Sequence, residues 1–334
     1  MSRPKILIPI GDVAGVGPEI VAKALAHKSV YEICMPIVVG EYSCMERAVE
    51  ITQTKLALNP IKHVHQGTYK HGVMDVIDLG NINASQVPFG KVQAAAGRAA
   101  FEFIEKSVAL LNAGQGDALA TTTINKEALK AAGVPYIGHT EILGGLTNTS
   151  DLMTMFQVHN LKVFFLTRHL SLKDAISAIS RDTVYSFIHR CHAAMVNLHI
   201  PNPRIAVAGL NPHSGEHGLF GMEEVESITP AVLDAQKDGL DVSGPIGADS
   251  VYYLALKGRY DAVISLYHDQ GHIATKMVDF ERTVSVTIGL PFLRSSVDHG
   301  TAFDIAGTNK VSEVSMVEAI RVAAQYASFY QPFK

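Results

Sequence analysis

The chain has 334 residues, 47% hydrophobic and 18% charged, a balance that supports a sizeable core and excludes a disordered polar chain. Lys+Arg 28 against Asp+Glu 32 leaves a net charge of −4. No basic run or basic-aromatic block is present to replace the counterions of a nucleic-acid backbone, so no nucleic-acid partner is expected. No stretch approaches the ~20 apolar residues of a bilayer span, and the apolar run in MSRPKILIPIGD is shorter than a signal core, so we expect a cytoplasmic protein without membrane contact.

In chain order, the β-branched runs KILIPI (5–10), PIVVG (36–40), VMDVID (73–78) and DALATT (117–122) read as strands. A helix over 91–113 places Val92, Ala95, Ala96, Ala99, Phe103, Val108 and Leu111 near helical spacing, with Arg98, Glu102, Glu105 and Lys106 on its wet face. The pattern continues with a strand at 162–167, helices over 172–180 and 183–198, a strand at 204–210, a helix over 222–237 and a strand at 261–267. Such alternation predicts an α/β protein whose strands are covered on both faces, with ligands gathering beyond the carboxyl ends of the strands. The length suits two domains.

The first strand runs into GDVAGVGPE (11–19), where Gly15 and Gly17 allow a tight turn and Pro18 opens a helix. Ile20 stands where a dinucleotide fingerprint needs its third glycine, which argues against a Rossmann site. Three histidines follow apolar strands by a few residues: His169 in FFLTRHL, His213 in AVAGLNPHSG and His268 in VISLYHDQG. Three neutral imidazoles hold one divalent cation and leave positions open for substrate oxygens. Asp249 and Asp269 are candidates to orient those imidazoles or to accept a proton, although Asp249 also suits an N-cap ahead of VYYLAL. For anions, His139 and Thr140 in GHTE lie at a helix start, and Lys276 and Arg294 flank the later strand VSVTIGLPFLR. Thr122, Thr123, Asn125 and Lys126 form another polar strand end, with N-capping of NKEALKAAG as the competing role. DHGTAFDIAG (298–307) has the small residues of a loop that wraps a flat polar ligand or makes a surface turn. His63, His65, His71, His189 and His192 lack such settings and are expected at the surface. Cys34, Cys44 and Cys191 are scattered without a CxxC pair, so buried thiols are expected in place of a disulfide or a thiolate zinc site.

At GDVAGVGPE, NKEALKAAG, GHTE, NPHSGE, GPIGAD, YHDQGH and GLPFLRSSVDHGTAFDIAG, in that order and over nearly the whole chain, the sequence resembles the 4-hydroxythreonine-4-phosphate dehydrogenase family, PdxA. The resemblance implies a two-domain fold like that of isocitrate and isopropylmalate dehydrogenases, with the active site in a cleft between domains. Residues 1–125 plus 280–334 would form a first domain on the NAD side, and 126–279 a second with the metal ligands and dimer contacts. It also implies a homodimer with its active site at the subunit interface, NAD as cofactor with NADP as the alternative, and one divalent cation (Zn, Mg, Mn or Co) on His169, His213 and His268. By the same correspondence His139, Thr140, Lys276 and Arg294 match substrate-binding positions, with Ser285 beside them, and the DHGTAFDIAG loop, through Gly300, Thr301 and Asp304, matches the cofactor region; Lys276, Asp249 and Asp269 are the candidates for proton transfer and for tuning the metal. Ser285 stands where the family commonly has asparagine and reaches less far than an amide. With His272, it points toward the branch acting on D-threonate or D-erythronate 4-phosphate. The expected reaction is oxidation and decarboxylation to dihydroxyacetone phosphate and CO2. Oxidation of 4-hydroxy-L-threonine 4-phosphate, oxidation of a dihydrodiol dicarboxylate, and metal-dependent hydrolysis are the alternatives.

Overall fold

The hydrophobic runs and their glycine turns are realised as parallel strands in a computed structural model that describes residues 3–332. The chain forms two compact units, residues 3–152 with 287–332, and residues 153–286. The first opens with β1 (Lys5–Pro9), α1 (Gly17–Leu25), α2 (Lys28–Ile33), β2 (Met35–Gly40), α3 (Tyr42–Thr52), β3 (Ala57–Ile61) and β4 (Val73–Asp78). It continues through α4 (Ala94–Asn112), β5 (Ala118–Thr121), α5 (Lys126–Ala131) and α6 (His139–Thr147). The second holds β6 (Met153–Val158), β7 (Leu161–Phe165), α7 (Leu172–Ser177), α8 (Arg181–Asn197), β8 (Ile205–Ala208), α9 (Thr229–Lys237), β9 (Val242–Ile246), α10 (Ala248–Leu256), β10 (Ala262–Ser265) and α11 (His268–Val278). The chain crosses back within β11 (Val284–Ile288) and ends on β12 (Leu293–Val297) and α12 (Val314–Ala327).

In the first unit the strands run β3-β4-β2-β1-β5-β12, every neighbouring pair parallel. This is not the 3-2-1-4-5-6 order of a Rossmann sheet. Leu7, Ile37 and Leu119 from the sheet pack with Ile104, Val108 and Leu111 of α4. Leu129, Ile142 and Leu143 join the same core, so the segment 126–152, expected with the second domain, packs in the first unit. Gly97 of α4 allows this approach, because a Cβ there would lie 2.2 Å from the Ala128 carbonyl oxygen of α5. In the second unit β6 pairs antiparallel with β7, and the parallel run β7-β10-β8-β9 follows. Phe156, Val163, Val263 and Tyr252 lie in its core.

Candidate active site

In the second unit, β7, β10 and β8 are neighbours, and His169, His268 and His213 follow their carboxyl ends. The strand ends are tied together: Leu166 N donates to Ser265 O at 2.8 Å and Thr167 Oγ1 to Leu266 O at 2.8 Å. This brings the His169 and His268 rings to 6.2 Å between centroids. They line a cleft of ≈ 330 Å³ with Arg168, Tyr267, Asp269 and apolar residues from Leu170 to Ala175. Asp269, in the first turn of α11, accepts from His268 Nδ1 at 2.6 Å. In the neutral imidazole this bond puts the proton on Nδ1 and leaves the Nε2 lone pair available, as in imidazoles that bind metals.

His213 is placed differently. It lies on a turn in which residues 213–217 all have left-handed backbone, φ 43 to 78°, with an exposed ring 3.5 Å from Glu216 Oε1. Among the described residues no group of three or more His, Cys, Asp or Glu side chains is drawn together tightly enough for a cation. The donor chemistry of His169 and His268 fits a divalent metal, and His213 is not drawn into a group with them among the described residues.

His272, one turn into α11, was read from sequence only as a branch marker. Its ring stacks on Phe165 at 4.5 Å, meets Phe156 edge-on at 4.3 Å and lies 4.1 Å from His268. Burial, then the charges of His268, Lys276 and Arg168, push its pKa down to about 4, so it is neutral at physiological pH. Lys276 lies on the same helix with its ammonium 4.9 Å from the Phe280 ring. Asp249 follows β9 in the first turn of α10; Gly247 occupies the N-cap and no side chain caps that helix, so Asp249 is not the capping residue. Ser285 is buried on β11.

In the first unit Arg294 is 5% exposed on β12, donating from Nε to Thr121 Oγ1 at 2.9 Å and from NH1 to Thr287 Oγ1 at 3.0 Å. Its partners are hydroxyls, with no carboxylate paired to it among the described residues. Burial lowers its pKa to about 9, which still leaves a cation at neutral pH. Burial, then the Arg294 charge, hold His139 well below its ordinary pKa. His139 and Thr140 open α6, whose N-cap, Gly138, provides no side chain to occupy the first amides. A buried guanidinium without a counter-charge beside an uncapped helix start is suited to an anion.

The proposed cofactor residues Gly300, Thr301 and Asp304 also belong to the first unit. Their loop is fastened to α1: Val16 N donates to Thr301 O at 3.0 Å, and the buried Glu19 accepts from Gly307 N at 2.6 Å and Asn309 N at 2.9 Å. A Cβ on Gly300 would meet nothing within 4 Å, so the loop is open there. On the turn that leads into α1, the fully buried Asp12 has Oδ2 without a hydrogen-bond partner among the described residues, as has Thr123 Oγ1. An open, firmly held loop, tied to a turn that bears an unsatisfied buried polar atom, fits a ligand with polar groups. Asp12 was absent from the sequence-based candidates; an acid directly after an apolar strand was its signal, masked by the glycines around it.

Residues 32–323 match the family model described as pyridoxal phosphate biosynthetic protein PdxA, and the chain belongs to that family. A Fusobacterium nucleatum relative named "Putative D-threonate 4-phosphate dehydrogenase" is 55% identical over 332 residues, covering 99% of this chain and 100% of its own. Among solved structures, a 4-hydroxythreonine-4-phosphate dehydrogenase from Burkholderia phymatum is 45% identical with a TM-score of 0.85, covering 98% of this chain and 99% of its own. One from Klebsiella pneumoniae is 39% identical with a TM-score of 0.89, covering 97% and 98%.

Proposed function

We propose that the protein is an NAD-dependent, divalent-metal-dependent dehydrogenase that oxidises and decarboxylates D-threonate or D-erythronate 4-phosphate to dihydroxyacetone phosphate and CO2. The observation that carries the phosphate is Arg294, a buried cation on β12 with no carboxylate partner among the described residues, whose charge acts on His139 at the uncapped start of α6. The name of the 55% identical relative supports the four-carbon acid.

Oxidation removes a hydride from C3 of the substrate and a proton from its hydroxyl; loss of CO2 from the resulting 3-keto acid then leaves the ketone phosphate. When bound, the cation supplies Lewis acidity at the C3 oxygen and the nicotinamide accepts the hydride. His169 and His268, with His213, would hold the cation, and Asp269 keeps His268 in the tautomer that offers Nε2. Arg294, His139 and Thr140 bind the phosphate. Lys276 binds anionic substrate and, with Asp249 or Asp269, carries protons. The loop bearing Gly300, Thr301 and Asp304 receives the dinucleotide.

The enzyme would be a homodimer, because α11 presents Ile273 at 63% and Met277 at 81% exposure, followed by Phe280 at 66%. Three free, buried cysteines suit a reducing cytoplasm. The test is NADH absorbance with NAD, Mg²⁺ or Mn²⁺ and separate threonate, erythronate and 4-hydroxythreonine 4-phosphates, with dihydroxyacetone phosphate assayed in the products. Reduction only with 4-hydroxythreonine 4-phosphate would move the assignment to the pyridoxal phosphate branch. Cleavage of a phosphoester or amide with no NADH formed would replace it with a hydrolase.

A further inference from the structure

We propose that Asp12 and Thr123 form a two-point subsite for a primary carboxamide, that of the nicotinamide ring; this rests on the dinucleotide reading above. Both residues leave the carboxyl ends of adjacent parallel strands, β1 and β5, where ligands of open α/β sheets gather. Asp12 N donates to Thr123 O at 2.9 Å, so their backbones are fixed to each other. Gly11 makes this approach possible with φ +73°, since a Cβ there would lie 2.2 Å from Thr123 O.

The three threonines after Ala120 differ in a way that singles out the last. Thr121 Oγ1 accepts from Arg294 and donates to Ser295 O, and Thr122 Oγ1 donates to Pro9 O at 3.0 Å. Thr123 Oγ1 is buried with no partner among the described residues. Asp12 is similarly half-used: Oδ1 accepts from Ala14 N at 2.8 Å, while Oδ2 is buried with no partner. Buried polar atoms are nearly always paired, so two such atoms on hydrogen-bonded neighbours mark a place built for a ligand group.

Their chemistry selects that group. A carboxylate oxygen accepts only and a threonine hydroxyl can donate, which is the complement of an amide N–H and C=O. A phosphate or carboxylate would be repelled by Asp12, and a diol would need both carboxylate oxygens, one of which Ala14 N already holds. One and two residues beyond Ala14, the same turn packs onto the proposed cofactor loop. Val16 N bonds Thr301 O at 3.0 Å, and a Cβ on Gly15 would lie 2.8 Å from that oxygen.

The experiment is calorimetric titration of the full-length protein at pH 8 with NAD and with 3-acetylpyridine adenine dinucleotide, in which a methyl replaces the amide nitrogen. Asp12→Asn should weaken NAD about tenfold and leave the acetylpyridine analogue unchanged, because only NAD donates to Oδ2. Thr123→Val should weaken both dinucleotides by a similar factor, since both keep the carbonyl, and Thr123→Ser should restore both. Equal effects of Asp12→Asn on the two dinucleotides, or none on either, would overturn the subsite while leaving the dinucleotide reading intact. A wild-type protein that binds neither dinucleotide would overturn both.

Discussion

Asp12→Asn should make the protein more stable at pH 8 than the wild type, and the gain should depend on pH. Asp12 is fully buried, and one backbone N–H does not offset the cost of desolvating its charge, so its pKa rises from 3.8 to about 6. The folded state therefore holds the proton more tightly than the unfolded chain. The stability this contributes is complete below pH 3.8 and is lost as pH climbs through 6. Raising the pH from 5 to 8 removes about 1.4 kcal/mol from the wild type through this group, and the full effect from low pH is about 3 kcal/mol. Asparagine keeps an oxygen for Ala14 N and does not ionise, so the variant escapes the loss. Urea denaturation followed by circular dichroism at pH 5, 6, 7 and 8, expressed as the difference between variant and wild type, cancels every other titrating group. A difference that stays flat over this range, or that favours the wild type more at pH 8 than at pH 5, would refute the desolvation argument. Combined with the binding experiment, the outcome would be a substitution that stabilises the apoprotein and weakens its cofactor, the trade-off expected where function keeps an unsatisfied charge in the core.

Arg294→Met should raise KM for the phosphorylated substrate about 100-fold, as for loss of one partner in a buried charged pair, and should abolish the thermal stabilisation that inorganic phosphate gives the wild type; scanning fluorimetry with dye and initial rates measure both. Asp269→Ala removes the acceptor that sets the His268 tautomer and should weaken Mn²⁺ binding about 10-fold to 100-fold, read by titration of the metal alone, with circular dichroism unchanged. Met277→Glu on the exposed stripe of α11 should convert the proposed dimer to monomer in analytical ultracentrifugation, and an unchanged sedimentation coefficient would remove α11 from the interface.

The strands that carry the site were legible because each is a short apolar run that is wholly or almost wholly buried: β1, β2, β5, β7, β8 and β10 all coincide with sequence expectations to within two residues. VSVTIGLPFLR, expected as one later strand, is broken over residues 289–292 into β11 and β12, and the strands missed outright have physical reasons. β3 carries Pro60 at the sheet edge, β9 reads VSGPI with a Gly-Pro pair, and β6 is a hairpin partner of β7 whose turn, His159 and Asn160, lacks the usual glycine. The 222–237 segment was read as one regular helix, whereas its first part, Glu224–Ile228, is wound more loosely before α9 begins.

For the site, sequence order supplied topology but not side-chain direction. Placing His169, His213 and His268 after apolar runs anticipated three neighbouring strand ends, and two of the rings do meet. The third depends on how a glycine-containing turn is wound, and its left-handed run turns His213 toward solvent. Arg294 shows the converse. A cation flanking a strand looks solvated in one dimension, and only the hydroxyls of Thr121 and Thr287, 173 and 7 residues away in the chain, reveal it as buried and held for an anion. Asp12 lies further still from what a pattern conveys, because its significance is the absence of a partner, a property of the folded neighbourhood. The groups that sequence ranked by residue type and spacing are those with an obvious chemical role. The groups that bear uncompensated burial, Arg294 and Asp12, are where the fold retains a cost that a bound ligand can offset.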